Sequence, residues 1–282
     1  MLRLSYWVFP IVAGLIWLGM ILGMLLHWII DTHFKVYPSE TDGQTIAYIS
    51  DVGAGELKPL FITGCVLTTV LLDTSFLSDR WLRHRGRLVP NSTAGEKALS
   101  GLTIAWAVVG TAGLILLSIF DTYRHPRLHD VFLGLFIVGY LLSAVFICWE
   151  YQRLGIRHRE HRILRVSFWV KLAFVLVTVV LAIPFVVLTR YGSYNPAAVL
   201  EWVIALVFSF YVFSFFVDLY PAVNTKNGGG GYSTKTWDGG RGRGGHQQHH
   251  HHRGHEPDKV EEGSSHYLYG RDHNVNGLPS NF

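Results

Sequence analysis

Six long apolar runs dominate this sequence and restrict its fold. They lie at about residues 6–30, 58–78, 98–120, 128–150, 166–188 and 197–219. A helix of about 20 apolar residues crosses the ~30 Å hydrocarbon core of a bilayer. Closed barrels are the only other fold that satisfies the backbone there, and their strands are alternating segments of about 10 residues. The runs are too long and too continuous for such strands, so the sequence predicts an all-α, polytopic six-helix transmembrane bundle.

The C-terminal part of the sequence has a different composition. From about residue 222 it is rich in glycine and histidine and poor in aliphatic residues. Such a segment cannot bury enough apolar surface to offset the entropy of ordering it. We therefore expect two parts, a six-span membrane domain at residues 1–221 and a disordered cytoplasmic tail at residues 222–282.

The basic residues predict which way the bundle sits in the membrane. Lysine and arginine concentrate in the short loops on the cytoplasmic side. Ten lie in the loops after the second and fourth runs, against five in the loops on the other side. We therefore expect both termini to be cytoplasmic.

Two of these loops are dense in arginine. Juxtamembrane clusters of four to eight basic residues contact phosphatidylserine or phosphoinositide headgroups. The alternative is that they only set the topology. The candidates for contact with anionic lipid or a partner are Arg80, Arg83, Arg85, Arg87, Arg153, Arg157, Arg159, Arg162 and Arg165.

Polar residues also gather at the opposite ends of the runs. The stretch "YISDVGAGELKPLF", residues 48–61, reads as a loop with turns at Gly53 and Gly55. Ionisable residues at the edge of a span are costly, so a functional role is the working hypothesis. The candidates on this face are Ser50, Asp51, His129, Asp130, Glu201 and Trp202.

This polar cluster has three interpretations that the residues leave open. It could be a structural hydrogen-bonded network, a contact for a lipid headgroup, or a metal or catalytic centre, since carboxylate and imidazole both bind metals. The spacing of Asp51, His129 and Glu201 matches no recognised metal motif. We therefore assign no metal, no cofactor and no catalytic residue.

Two charges lie inside the runs themselves. Asp73 in the second run and Lys171 in the fifth are at similar depth. An ion pair would lower the cost of burying both, and the sequence predicts this pair. Glu150 and Asp218 stand at span ends, where we expect them to reach water.

Three patches in this order resemble a known family. They are "ISDVGAGELKPLF", "LHDVFLGLFIVGYLLSAVFICWEYQRLG" and "LEWVIALVFSFYVFSFFVDLYP". Over about residues 5–221 the chain resembles the Frag/DRAM/Sfk family, and within it most closely the fungal suppressor-of-four-kinase branch. On this resemblance the recurring family positions are Ser50, Asp51, His129, Glu201 and Trp202.

The resemblance implies a non-enzymatic integral membrane regulator of lipid organisation. It would support phosphatidylinositol 4-kinase signalling and phospholipid asymmetry at the plasma membrane. Its partners would be phosphoinositide or phosphatidylserine lipids and a phosphatidylinositol 4-kinase complex, without nucleic acid. A large fungal cell-wall relative has a further C-terminal hydrolase-like domain, for which this sequence has no room, so we expect no enzymatic activity.

The same resemblance leaves an alternative function and other locations open. The protein could be a GPI-anchor lipid remodelling factor or a metal-assisted lipid-modifying enzyme. Golgi, endoplasmic reticulum and vacuole are alternatives to the plasma membrane. A transporter is disfavoured, because the span centres are mostly apolar and the charges lie near the span ends.

Overall fold

The computed structural model describes residues 5–91, 93–157 and 162–222. Over these residues the chain forms helices and connecting segments, without a strand. The first helix continues as a π-helical turn, His27–Asp31. The α-helices are α1 (Val8–Leu26), α2 (Ile49–Ala54), α3 (Lys58–His84), α4 (Ala94–Ile119), α5 (Pro126–Arg157), α6 (Arg162–Arg190) and α7 (Tyr194–Leu219).

Six of these helices are long and apolar enough to cross a membrane. They are α1 with its π-helical turn, and α3, α4, α5, α6 and α7. The predicted all-α bundle of six spans is therefore confirmed for the described residues. The helices extend past the apolar runs, because polar residues continue the same helices beyond the hydrocarbon. Residues 223–282, which carry nearly all of the predicted tail, lie outside the described part of the chain.

The six spans form a ring in chain order. Each span packs against the next, and α7 returns to pack against α1. Short connections make consecutive helices antiparallel neighbours. One end of the ring therefore holds the starts of α3, α5 and α7, and we call it the α2 end. The opposite end, where α3, α5 and α7 finish, is called the arginine end.

The short helix α2 lies across the α2 end, where it contacts α1, α3, α4 and α7. This corrects the interpretation of residues 48–61 as a loop, because residues 49–54 are helical. Gly53 does not make a turn but lies inside α2, where a Cβ would stand 2.6 Å from the Phe61 ring. Its small size, rather than its flexibility, lets α2 pack onto the start of α3.

Glycine also permits a close contact between two spans. A Cβ on Gly139 of α5 would lie 2.4 Å from the backbone nitrogen of Gly110 in α4. Small residues at this position let two membrane helices approach to backbone contact. Gly134, on the same helix, faces open space, so only some of the glycines in the spans serve this purpose.

The span α6 is the one least buried by its neighbours. Only 17% of its apolar window is buried inside the protein, against 33–44% for the other spans. In a bilayer this face would contact acyl chains.

Candidate lipid-contact site at the α2 end

The start of α2 is anchored to α7. Glu201 Oε2 accepts a hydrogen bond from the Ile49 backbone N–H at 2.8 Å, and Trp202 Nε1 donates to the Ala47 carbonyl at 2.9 Å. The first N–H groups of a helix have no partner within that helix, so Glu201 satisfies one of them. Two residues that the sequence singled out therefore hold α2 in place.

Asn195 extends this anchor, and sequence reasoning missed it. Its Oδ1 accepts hydrogen bonds from the backbone N–H groups of Thr45, at 2.7 Å, and Ile46, at 3.1 Å. Asn195 precedes Trp202 by seven residues, about two helical turns, so both lie on the same face of α7. That spacing was the signal available in the sequence.

Asp51 organises the segment that leads into α2. Its carboxylate is 2% exposed and accepts hydrogen bonds from Ser39 Oγ at 2.6 Å, the Tyr48 N–H at 2.9 Å and Gln44 Nε2 at 3.3 Å. Burial raises the pKa of Asp51, while these hydrogen bonds and the nearby His129 oppose the rise. All three donors are local, so the carboxylate already has a structural role.

His129 closes the end of α4. It is 4% exposed, and its Nδ1 lies 3.1 Å from the Leu117 carbonyl oxygen and 3.0 Å from that of Phe120. Carbonyl oxygens only accept, so Nδ1 carries the proton in this arrangement. The last carbonyls of a helix lack intrahelical donors, and His129 supplies one from the first turn of α5.

The other two candidates on this face do not join the network. Ser50 is half-buried, and Asp130 is exposed on α5. Neither makes a side-chain hydrogen bond within the described residues. Of the six candidates, four are therefore brought together around α2.

An ion pair on the same face was not predicted. Lys58 Nζ at the start of α3 lies 2.5 Å from Asp121 Oδ2, between α4 and α5. Asp121 Oδ1 also accepts the Arg124 N–H at 2.7 Å. Burial alone would raise the pKa of Asp121, but the bonds from Lys58 and from Arg124 lower it below its ordinary value.

Beside α2 is a polar cavity of about 360 Å³. Its wall carries charges of both signs, with Lys35 and Arg124 exposed on one hand and Glu56 exposed on the other. The buried carboxylates of Asp51 and Asp121 lie deeper in the same wall. The charges of this wall are complementary to those of a lipid headgroup that carries both a phosphate and a cationic nitrogen.

The candidate metal ligands do not form a metal centre in the described part of the chain. No group of three histidine, cysteine or acidic side chains is placed there to hold an ion. Asp51 and Glu201 accept hydrogen bonds from protein donors, and His129 donates to carbonyls.

At the arginine end, Arg83 has a structural role. It is 3% exposed and donates to both carboxylate oxygens of Asp79, to the Val89 carbonyl and to Tyr151 Oη. Arg83 therefore joins α3, the following loop and α5, and it is not available to a lipid.

The other candidate arginines differ in their surroundings. Arg87 Nη2 donates to the Ala222 carbonyl at 2.5 Å, and Arg157 Nη1 lies 3.6 Å from Glu96 Oε1. Arg80 is half-buried, and Arg159 lies outside the described residues. The arginines exposed on the surface of this end include Arg85, Arg153, Arg162 and Arg165.

The predicted intramembrane ion pair between Asp73 and Lys171 is wrong. Lys171 Nζ instead lies 2.5 Å from Asp218 Oδ2, with the Lys171 side chain 0% and the Asp218 side chain 2% exposed. Asp73 lies on α3, and its carboxylate accepts a hydrogen bond from Thr111 Oγ1 at 2.9 Å. The span α6 packs mainly against α5 and α7, and this places Lys171 beside Asp218 instead.

Glu150 and Asp218 are also buried rather than open to water, at 3% and 8% exposure. Glu150 Oε1 accepts a hydrogen bond from Asn91 Nδ2 at 2.7 Å. Each acid is buried together with a protein partner, Asn91 for Glu150 and Lys171 for Asp218. Asn91 is itself buried, at 8% exposure.

Comparison with known proteins identifies the family. Residues 5–222 match the model of the Frag1/DRAM/Sfk1/Cwh43P N-terminal domain. Protein sfk1 of Schizosaccharomyces pombe is 30% identical over 215 residues, which cover 76% of this chain and 64% of that protein. Protein SFK1 of Saccharomyces cerevisiae is 28% identical over 181 residues, covering 54% of this chain and 51% of that protein.

The chain therefore spans 64% and 51% of the length of these two relatives. No solved structure matches the chain. The family model covers most of the sequence and all six spans, in agreement with the resemblance carried by the three sequence patches. This multi-pass membrane protein belongs to the Frag1/DRAM/Sfk1/Cwh43P family.

Proposed function

We propose that this protein is a non-enzymatic regulator of membrane lipid organisation. It supports phosphatidylinositol 4-kinase signalling and phospholipid asymmetry at the plasma membrane, and both of its termini are cytoplasmic. The observation that carries this proposal is the contrast between the two ends of one bundle, a cavity with charges of both signs and a surface with exposed arginines.

The α2 end provides a headgroup contact. Lys35 and Arg124 in the cavity wall attract a phosphate, and Glu56 attracts a cationic nitrogen. Asp51 in this wall and Glu201 on α7 already accept backbone hydrogen bonds, so both hold α2 in place rather than react. This division of roles favours recognition of a lipid over its chemical modification.

The arginine end provides a contact for an anionic leaflet. The Arg85 guanidinium lies 4.5 Å from the Trp81 ring centre, and the Arg153 guanidinium lies 5.6 Å from the Trp149 ring centre. Both tryptophans are about half exposed, at 49% and 48%. Tryptophan is typical of the membrane–water interface, so these arginines would lie at the depth of phosphate headgroups. Each basic residue near the surface of an anionic leaflet contributes about 1 kcal/mol to the free energy of attraction to that surface.

A pair of matched charge variants tests this proposal. Arg85→Gln with Arg165→Gln removes two exposed charges from the arginine end. Arg127→Gln with Arg190→Gln removes two exposed charges from the α2 end. We expect only the first variant, expressed in cells lacking the native protein, to reduce a plasma-membrane phosphatidylinositol 4-phosphate reporter and to raise annexin binding to surface phosphatidylserine. Equal behaviour of the two variants would contradict the proposal.

Two further measurements complete the test, one of the orientation of the protein in the membrane and one of any covalent change that it makes to lipids. Epitope tags at residue 42 and at the C-terminus should be accessible from opposite sides of the plasma membrane. Purified protein in vesicles with labelled phosphoinositide or GPI lipids should leave those lipids covalently unchanged, with and without added divalent metals. Turnover that is lost in Asp51→Asn would establish the enzymatic alternative instead.

A further inference from the structure

A second cavity, apart from the polar one, is lined by residues of α5, α6 and α7 and also by five buried side chains of the other helices, Trp17, Ile49, Phe61, Leu114 and Leu117. It has a volume of about 120 Å³, and its lining is almost wholly apolar. Lining residues on all three helices, including Ile137, Thr178 and Ile204, remain half-exposed. The cavity therefore reaches from the interior of the bundle to the partly exposed side formed by α5, α6 and α7, and we call it the groove.

The groove is one leaflet deep. Along α7 its lining runs from Glu201 to Tyr211, along α6 from Phe174 to Phe185, and along α5 from Leu133 to Ala144. At 1.5 Å per residue these stretches span about 15–17 Å, and half of a ~30 Å hydrocarbon core is about 15 Å.

Glu201 fixes the depth of the groove independently. It is the only acidic or basic residue in the described lining, and it stands at the end nearest α2. An ionisable carboxyl group at the bilayer centre is expensive, so this end lies at the headgroup boundary and Tyr211 lies near the midplane. The groove therefore begins where acyl chains begin and ends where the chains of one leaflet end.

We propose that this groove binds one acyl chain of a phospholipid from the leaflet at the α2 end. Apolar cavities stay dry and take apolar molecules, and a cavity of about 150 Å³ accommodates benzene. At about 120 Å³ the groove holds only part of a chain, so the rest of the chain lies in the surrounding bilayer, and a flexible chain can bend between the two whereas the rigid fused rings of a sterol cannot. The inference names the ligand of the proposed lipid regulator and in that sense rests on the proposed function.

Photocrosslinking of the full-length protein tests this assignment. The protein is placed in nanodiscs of phosphatidylcholine with a trace of the same lipid carrying a diazirine midway along one chain. After irradiation, mass spectrometry of peptides should find lining residues such as Leu141, Thr178 and Ile204 labelled several-fold more than Val180. Val180 is 68% exposed on the outer face of α6, so it reports ordinary contact with surrounding lipid.

Two neighbouring substitutions separate the groove from the lipid-facing surface. Ala182 lines the groove, and Ile183 is 61% exposed. Ala182→Trp should reduce labelling of the lining several-fold, while Ile183→Trp leaves it unchanged. If Ala182→Trp does not fold, the same comparison is made one turn deeper with two single variants. Thr178→Phe in the lining should reduce labelling of the lining, and Val180→Phe on the lipid-facing side should leave it unchanged.

The possible results separate a failure of the acyl-chain site from a failure of the proposed function. Even labelling of lining and lipid-facing residues, or unchanged labelling in both groove variants, would overturn the acyl-chain site. So would labelling of the lining by a photoactivatable sterol in place of phosphatidylcholine. Groove labelling combined with normal lipid asymmetry in the Ala182→Trp cells would keep the site and refute the proposed function.

Discussion

Lys171 and Asp218 form a fully buried ion pair between α6 and α7, with 2.5 Å between Nζ and Oδ2. Ser167 Oγ donates to the same carboxylate, and the Lys171 ammonium lies 4.3 Å from the Phe215 ring centre. Each charge is therefore compensated by several groups. This pair links the least buried span, α6, to α7.

Removing one partner of this pair should destabilise the protein. Lys171→Met leaves Asp218 charged and buried, and losing one partner of a buried pair costs about 3–5 kcal/mol. The double variant Lys171→Met with Asp218→Leu should recover most of this loss, because apolar replacements of buried pairs are often neutral. Thermal unfolding in nanodiscs measures both. Arg165→Met, an exposed position on the same helix, is the control and should match the wild type.

Truncating Glu201 should loosen α2. Glu201→Ala leaves the Ile49 N–H without its acceptor, and an unsatisfied buried donor costs about 1–3 kcal/mol. Hydrogen exchange at Ile49 should therefore accelerate by about 5- to 150-fold. Glu201→Gln keeps an acceptor oxygen and should stay close to the wild-type rate. Equal exchange in the alanine variant and the wild type would mean that Glu201 does not hold α2.

A methyl group should separate α4 from α5 at one glycine and not at another. In Gly139→Ala the new Cβ would stand 2.4 Å from the Gly110 nitrogen, and overpacking costs about 1–3 kcal/mol. In Gly134→Ala the Cβ meets open space, and alanine favours a helix over glycine by about 1 kcal/mol. Melting temperatures should fall for the first variant and stay level or rise for the second. The reverse order of melting temperatures would show that α4 and α5 do not meet at Gly139 and Gly110.

The Asp121 carboxylate should contribute stability that disappears in acid. Its pKa is lowered in the folded protein, so its contribution is complete above the ordinary aspartate pKa of about 3.9. It is then lost as the pH falls through the lowered folded-state pKa. Unfolding measured from pH 6 to pH 3 should show a shallower acid decline in Asp121→Asn than in the wild type.

Asp130→Asn is the control for this pH series, because Asp130 is exposed at the same end of the bundle. Asp51 acts in the opposite direction, since its raised pKa reduces stability as the pH rises just above the ordinary aspartate value. Asp51 keeps its carboxylate in both the Asp121→Asn variant and the Asp130→Asn control, so its contribution is the same in the two proteins. The Asp121 contribution is present only in the control. Identical acid declines would exclude the Lys58–Asp121 pair as a source of stability.

The sequence predicted the spans well because hydrocarbon imposes a single strong rule on length and apolarity. It also brought Asp51, His129, Glu201 and Trp202 to one face, since the position of a residue along its span determines its depth. It did not predict that residues 49–54 form a helix, because a six-residue segment that contains a glycine has little intrinsic helix preference. The helix is supported by the hydrogen bonds that the Tyr48 and Ile49 N–H groups donate to Asp51 and Glu201.

The partner of Lys171 was missed for a different reason. The sequence placed Asp73 inside its span and Asp218 at a span end, which made Asp73 the expected partner, whereas neighbour order around the ring and rotation about each helix axis bring Asp218 to Lys171. Neither quantity is encoded in hydropathy. The same limit applied to the arginines, because Arg83 and Arg85 are two residues apart and point to the interior and to the surface respectively.

The bond from Arg87 to the Ala222 carbonyl connects two parts of the chain that are distant in sequence. Residue 222 is the point at which the glycine- and histidine-rich segment begins. The bond therefore ties the chain just after α7 to the loop that follows α3, close to the surface arginine Arg85. The point at which the glycine- and histidine-rich segment begins is accordingly fixed at the arginine end of the bundle.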